Sequence, residues 1–71
     1  MTYNVEFTYD PEADVWIATS DDIIGLVLES ENLDHLMKRV EIAVPELLEL
    51  NHQVPAEFLN FKQKRALSTI L

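Results

Sequence analysis

The sequence predicts a small α+β domain of order β-β-β-α-β, an antiparallel sheet covered on one face by one helix. Three observations carry this: strict alternation over "YNVEFTY", an apolar stripe at helical spacing from Leu33 to Leu48, and turn-forming residues between the apolar runs. The 71 residues make one domain, spanning 1–71, near the size at which a single core barely suffices. There is no cysteine, so neither disulfides nor thiolate-bound zinc can hold it together. Apolar burial must do so, and a partner subunit would help, which makes a homodimer the expected assembly.

The first strand sets Tyr3, Val5, Phe7 and Tyr9 on one face and Asn4, Glu6 and Thr8 on the other. Asp10-Pro11 then turns the chain, and "VWIATS" supplies a second strand rich in β-branched and aromatic residues. The loop "DPEAD" has no glycine, so a hairpin longer than the two-residue turns is expected. In "ATSDDIIGLVLES" the aspartates Asp21 and Asp22 mark a corner, Gly25 supplies a permissive backbone angle, and "LVLES" returns as a third strand.

Asn32 is suited to cap a helix, with Asp34 in the first turn where negative charge complements the dipole. Leu33, Leu36, Met37, Val40, Val44, Leu47 and Leu48 form one stripe that should cover the sheet. Pro45 lacks the N–H that a helix interior needs, which predicts a kink or a break after Ala43 or Val44. Asn51 is the residue expected to take the left-handed conformation that ends the helix. In "AEFLNFKQKRAL", Leu59 and Phe61 alternate with Asn60 and Lys62, which predicts a fourth strand. Phe58, Leu59 and Phe61 would make it a hydrophobic edge, and these three are the expected dimer contacts.

Charge is divided along the chain. The first 37 residues hold nine acids and no base, a net charge of −9, whereas all five bases lie after residue 37. Such a surface repels phosphate backbones, which argues against direct DNA binding and for a basic protein partner. Asp21, Asp22, Glu29 and Glu31 are the expected partner contacts.

Catalysis has little to build on. Neighbouring aspartates in an extended chain point to opposite sides, so Asp21 and Asp22 alone make no acid/base or metal pair. His35 and His52 are 17 residues apart, one in the first helical turn and one past the helix end, and nothing pairs them as metal ligands. No serine is flanked by glycines, and a single glycine cannot form a phosphate loop. Trp16 is expected in the core or a subunit interface. The chain thus reads as a non-enzyme with no cofactor. "MTYNVEF" lacks the basic start and apolar run of a signal peptide, and no segment reaches the roughly 20 apolar residues of a membrane span, as expected of a soluble cytoplasmic protein of bacterial origin.

Taken together, "EADVWIATSDDI", the "DDIIGL" corner, "ENLDHL" and "VPELLELN" resemble the HicB-like antitoxin domain family, in particular a branch of short bacterial proteins of unknown function. The resemblance covers about 50 of the 71 residues. It implies a commonly dimeric β-β-β-α-β domain that masks a small basic toxin-like partner by surface contact. Relatives often have proline where this chain has Ile24, and threonine where it has Asn32. Full-length antitoxins continue into a DNA-binding domain, for which the roughly 20 residues after Asn51 are too few. Two further readings stand beside the antitoxin-like module. One is a standalone homodimer with an unidentified ligand, and the other is a remnant metal-dependent nuclease, which would need several carboxylates converging on an ion.

Overall fold

A computed structural model describes residues 1–64, so Arg65 and the rest of the C-terminal segment lie outside the described residues. Strand β1 (Thr2–Asp10), β2 (Val15–Thr19) and β3 (Val27–Ser30) precede helix α1 (Leu33–Leu50), and β4 (Phe58–Lys64) follows it. The predicted order β-β-β-α-β is the observed one. The sheet runs β3-β2-β1-β4, and it is mixed, not purely antiparallel. Both hairpin pairings are antiparallel, but β4 lies parallel to β1 in the register Tyr3 opposite Leu59 and Val5 opposite Phe61. The direction follows from the connection. The 18-residue helix returns the chain to the end at which β3 began, so the next strand must run with β3 and therefore with β1.

The alternation in β1 sorts its faces as expected. Tyr3, Val5 and Phe7 are buried under the helix side, and the ring of Phe7 meets that of Phe61 edge-on at 5.0 Å. Helix α1 lies over β2 and β3, with Leu36, Val40, Val44 and Leu48 fully buried. Ala18, fully buried near the end of β2 between Phe7 and Leu28, is small enough to let the helix approach there. Trp16 packs against this core and tilts over Tyr9, its cross-strand neighbour, at 5.4 Å. Leu59 and Phe61 also pack against the subunit's own core.

The loop between β1 and β2 is the longer kind. Asp10 Oδ1 accepts from the backbone N–H of Glu12 at 3.0 Å, and Asp14 takes φ +57 while its N–H closes on the Asp10 carbonyl at 2.8 Å. An aspartate thus fills the left-handed position usually given to glycine, as its short polar side chain allows. The same carboxylate accepts from the Tyr9 hydroxyl, and this bond, with burial and the charges of Asp14 and Asp10, raises the Tyr9 pKa above its ordinary 10.0. The neutral phenol is therefore the form the fold prefers: its stabilisation is complete below about pH 10 and is lost as pH rises through the raised value. Ultraviolet titration should show one tyrosine ionising late, and Asp14→Asn should bring it down.

Asn32 caps α1, its side chain accepting from the His35 N–H at 2.9 Å. Replacing Asn32 with alanine should cost about 1 kcal/mol. In a domain of this size a thermal melt would then fall by about 4–8 °C. The expectation about the helix's C-terminal end is corrected, and of the kink or break expected at Pro45 the break does not occur, for the helix continues through it. The ring of Pro45 is exposed, and the carbonyl of Glu41 left without a donor belongs to an exposed residue, where water satisfies it. At the other end Asn51 has φ −98, and it is His52, at φ +55, that turns left-handed. The N–H groups of His52 and Gln53 then bond the carbonyls of Glu49 and Leu48, at 3.2 and 2.8 Å, the paired closure of a Schellman motif. Asn51 is used otherwise: its side-chain amide ties the last turn to the corner through the carbonyls of Leu47 and Ile24.

Candidate surface sites at the corner and beside the helix

Beyond Thr19 the second strand leaves the ladder, and Asn4 of β1 loses the backbone partner that a longer β2 would give it. Side chains replace that partner. Ser20 Oγ donates to the Asn4 carbonyl at 2.5 Å, and Asp22 Oδ2 accepts from the Asn4 N–H at 2.7 Å and from its side-chain amide at 3.0 Å. The same Ser20 Oγ accepts from the N–H groups of Asp22 and Ile23 at 3.0 and 3.1 Å, which curls the chain into the corner. Gly25 sits there at φ +83, with Leu47 packed 3.8 Å from where a side chain would start. The Ile24 N–H donates to the Gln53 side chain at 3.2 Å, and Gln53 returns its own amide to the Asp22 carbonyl at 2.9 Å. A proline at position 24 would forfeit the first of these, so this corner is fastened by a different device from a proline.

The four carboxylates expected to meet a partner therefore do not form one cluster. Asp22 is half-buried and engaged by Asn4, whereas Asp21 is exposed at the corner. Glu29 and Glu31 are exposed farther along, Glu29 opposite Ile17 on β2 and Glu31 just past the end of β3. Arg39 donates to the Glu29 backbone carbonyl at 2.8 Å and leaves its carboxylate unmatched. Among the described residues the ion pairs are the Met1 amine with Glu57, at 2.7 Å, and Lys64 with Glu6, at 2.9 Å. No three His, Asp or Glu side chains among those residues converge as a metal site. No helix among them is long and apolar enough to cross a membrane.

The expected dimer residues divide as well. Leu59 and Phe61 face inward and are half-buried, while Phe58, alternating with them, is 70% exposed. β4 is an edge strand, paired on one side only with β1.

A second feature was not foreseen from sequence. Between the C-terminal half of α1 and the start of β4 runs a groove of about 800 Å³. Val44 and Leu48 lie buried beneath it and Pro45, Phe58 and Leu59 give its apolar surface, while Glu41, Glu49, Glu57 and His52 stand around it, with no lysine or arginine among the described lining residues. The helix positions one side through the same stripe that fills the core, and the segment 52–57 sets the other, anchored where the Tyr3 hydroxyl donates to the Val54 carbonyl at 2.6 Å. The one sequence signal that could have pointed here is the exposed Pro45 beside the stripe.

The pattern of a family described as Domain of unknown function (DUF1902) matches residues 2–68. Among solved structures, the crystal structure of hypothetical protein TTHA1013 from the extremely thermophilic bacterium Thermus thermophilus is similar. It is 32% identical, with a TM-score of 0.77, and the similarity covers 100% of both chains. No curated protein matches.

Proposed function

The chain belongs to the DUF1902 family, and on that premise we propose that it is a HicB-like, non-catalytic protein-binding module that masks a small basic toxin-like partner by surface contact. The observation that carries this reading is the uncompensated acidic surface. Asp21, Glu29 and Glu31 are exposed, no cation among the described residues pairs with them, and Lys64 and Arg39 are spent on Glu6 and on a backbone carbonyl. Such a surface favours a cationic protein and disfavours phosphate.

Complementary charge mainly speeds encounter, so added salt should slow association more than it hastens dissociation, and neutralising Asp21 with Glu29 should do the same. Affinity capture from the native cell followed by mass spectrometry tests the reading. A small basic protein whose association rate falls in the Asp21→Asn, Glu29→Gln variant is the expected result. Recovery of acidic proteins, nucleic acid or the chain itself alone would refute it.

A standalone homodimer is the second reading, favoured by the unpaired edge of β4 and the exposed Phe58. Sedimentation equilibrium decides it, since a stable 8.2 kDa monomer at concentrations on the order of tens of micromolar excludes a useful dimer.

A further inference from the structure

We infer that the groove between α1 and β4 receives a basic amphipathic helix of the partner, whose apolar face lies on Pro45, Phe58 and Leu59 while its lysines or arginines reach Glu41 and Glu49. This rests on the masking reading above and gives it an anchor: the corner acids draw the partner in, and the groove holds it. Charge at a rim acts chiefly on the rate of encounter, whereas the hold comes from apolar side chains buried in a pocket.

Three features select that occupant. The groove is already shaped, because Val44 and Leu48 lie buried beneath it and Leu59 packs against the same core, and a preformed apolar groove of this kind suits a helix presenting one apolar stripe. From Glu41 to Glu49 the helix rises about 12 Å, room for roughly two turns of a helix laid alongside. The rim carries three carboxylates beside one imidazole, that of His52, with no lysine or arginine among the described lining residues, and of the three only Glu57 has a cation among the described residues, the Met1 amine. A second copy fits poorly. It brings a net charge of −8, and its exposed helical apolar residues, Ile42 and Leu50, stand among Glu41, Glu46 and Glu49. Seating them here would set carboxylates against carboxylates.

The test is an NMR titration of the full chain with a synthetic leucine-lysine peptide, designed as an amphipathic helix of about 18 residues. The amides of Val44, Leu48 and Leu59 should shift. Glu41→Lys with Glu49→Lys, both at exposed positions, should weaken binding roughly tenfold or more, as should replacing the peptide's leucines with serines at constant charge. Asp21→Asn with Glu29→Gln should slow association and leave the mapped position unchanged. Shifts confined to residues 21–31, or equal binding of the serine peptide, would overturn the inference. So would groove amides that move with protein concentration alone as sedimentation reports a dimer, for a second copy would then be the occupant. The two readings fail separately. A cellular partner that depends on Asp21 and Glu29 but ignores Glu41 and Glu49 removes the groove and leaves masking intact. A groove that binds the peptide in a protein with no basic partner in the cell removes masking alone.

Discussion

Phe7→Ala should remove about 3–5 kcal/mol from the isolated domain, a large share of everything that holds it folded. Phe7 is fully buried in the middle of β1, flanked by Ala18 on β2 and stacked edge-on against Phe61 of β4, so its ring joins the two halves of the sheet's inner face. Truncating a buried phenylalanine costs about 3–5 kcal/mol, the lost transfer energy plus the cavity left behind. At about 0.05–0.15 kcal/mol per residue a chain of this length holds only some 4–11 kcal/mol in total. The loss is thus about a quarter of the stability at best and all of it at worst. Urea denaturation followed by far-UV circular dichroism measures it. Phe7→Leu, which keeps most of the volume, should cost far less, about 1.5 kcal/mol. If the alanine variant melts within a few degrees of the parent, the inner face of β1 is not the core.

The second large effect is expected at the corner. Ser20→Ala removes one acceptor and one donor that together satisfy the Asn4 carbonyl and the N–H groups of Asp22 and Ile23. Each unsatisfied buried group costs about 1–3 kcal/mol, and these are only partly buried, so a total near 2–3 kcal/mol is expected. Asp22→Ala, which deprives Asn4 of the other half of its substitute ladder, should be comparable. The double variant should cost less than the two losses added, because both act through Asn4 and a corner already opened has less to lose. Additivity within about 0.5 kcal/mol in urea denaturation would mean that the two side chains do not act as one device.

The sequence was legible wherever the deciding contact was local. Alternation in β1, the stripe of α1, the Asn32 cap and the Gly25 corner each depend on neighbours within a few positions, and each is where the pattern put it. What failed to show was decided at long range. Pro45 invites a break because its lost bond is visible in sequence, whereas the packing of Val44 and Leu48 that keeps the helix continuous through it is not. Asn51 outranks His52 as a left-handed residue on propensity alone. Its amide is instead held by Ile24, 27 positions earlier, so the turn falls to its neighbour. Asp22 reads in sequence as a free surface acid, but Asn4, 18 positions away, claims its carboxylate. The groove could not be read from Pro45 alone, since it exists only through the relative placement of α1 and the segment that leads into β4.

The parallel pairing of β1 with β4 also governs when the chain becomes a folded object. Thr2 meets Phe58 and Val5 meets Phe61 across 56 positions, so the first strand to be synthesised waits for the last before its outer edge is bonded and Phe61 closes over Phe7. Contacts this distant in sequence must bear the entropy of closing the intervening loop before they return any stability, which slows folding relative to a helical domain of equal size. A nascent chain that has completed β1, β2, β3 and α1 still presents an open strand edge, the surface most prone to pair with a stranger. Synthesis of β4 is then the commitment step: it covers the open edge of the long first strand and moves the sheet's free edge to the last of the described strands to be synthesised.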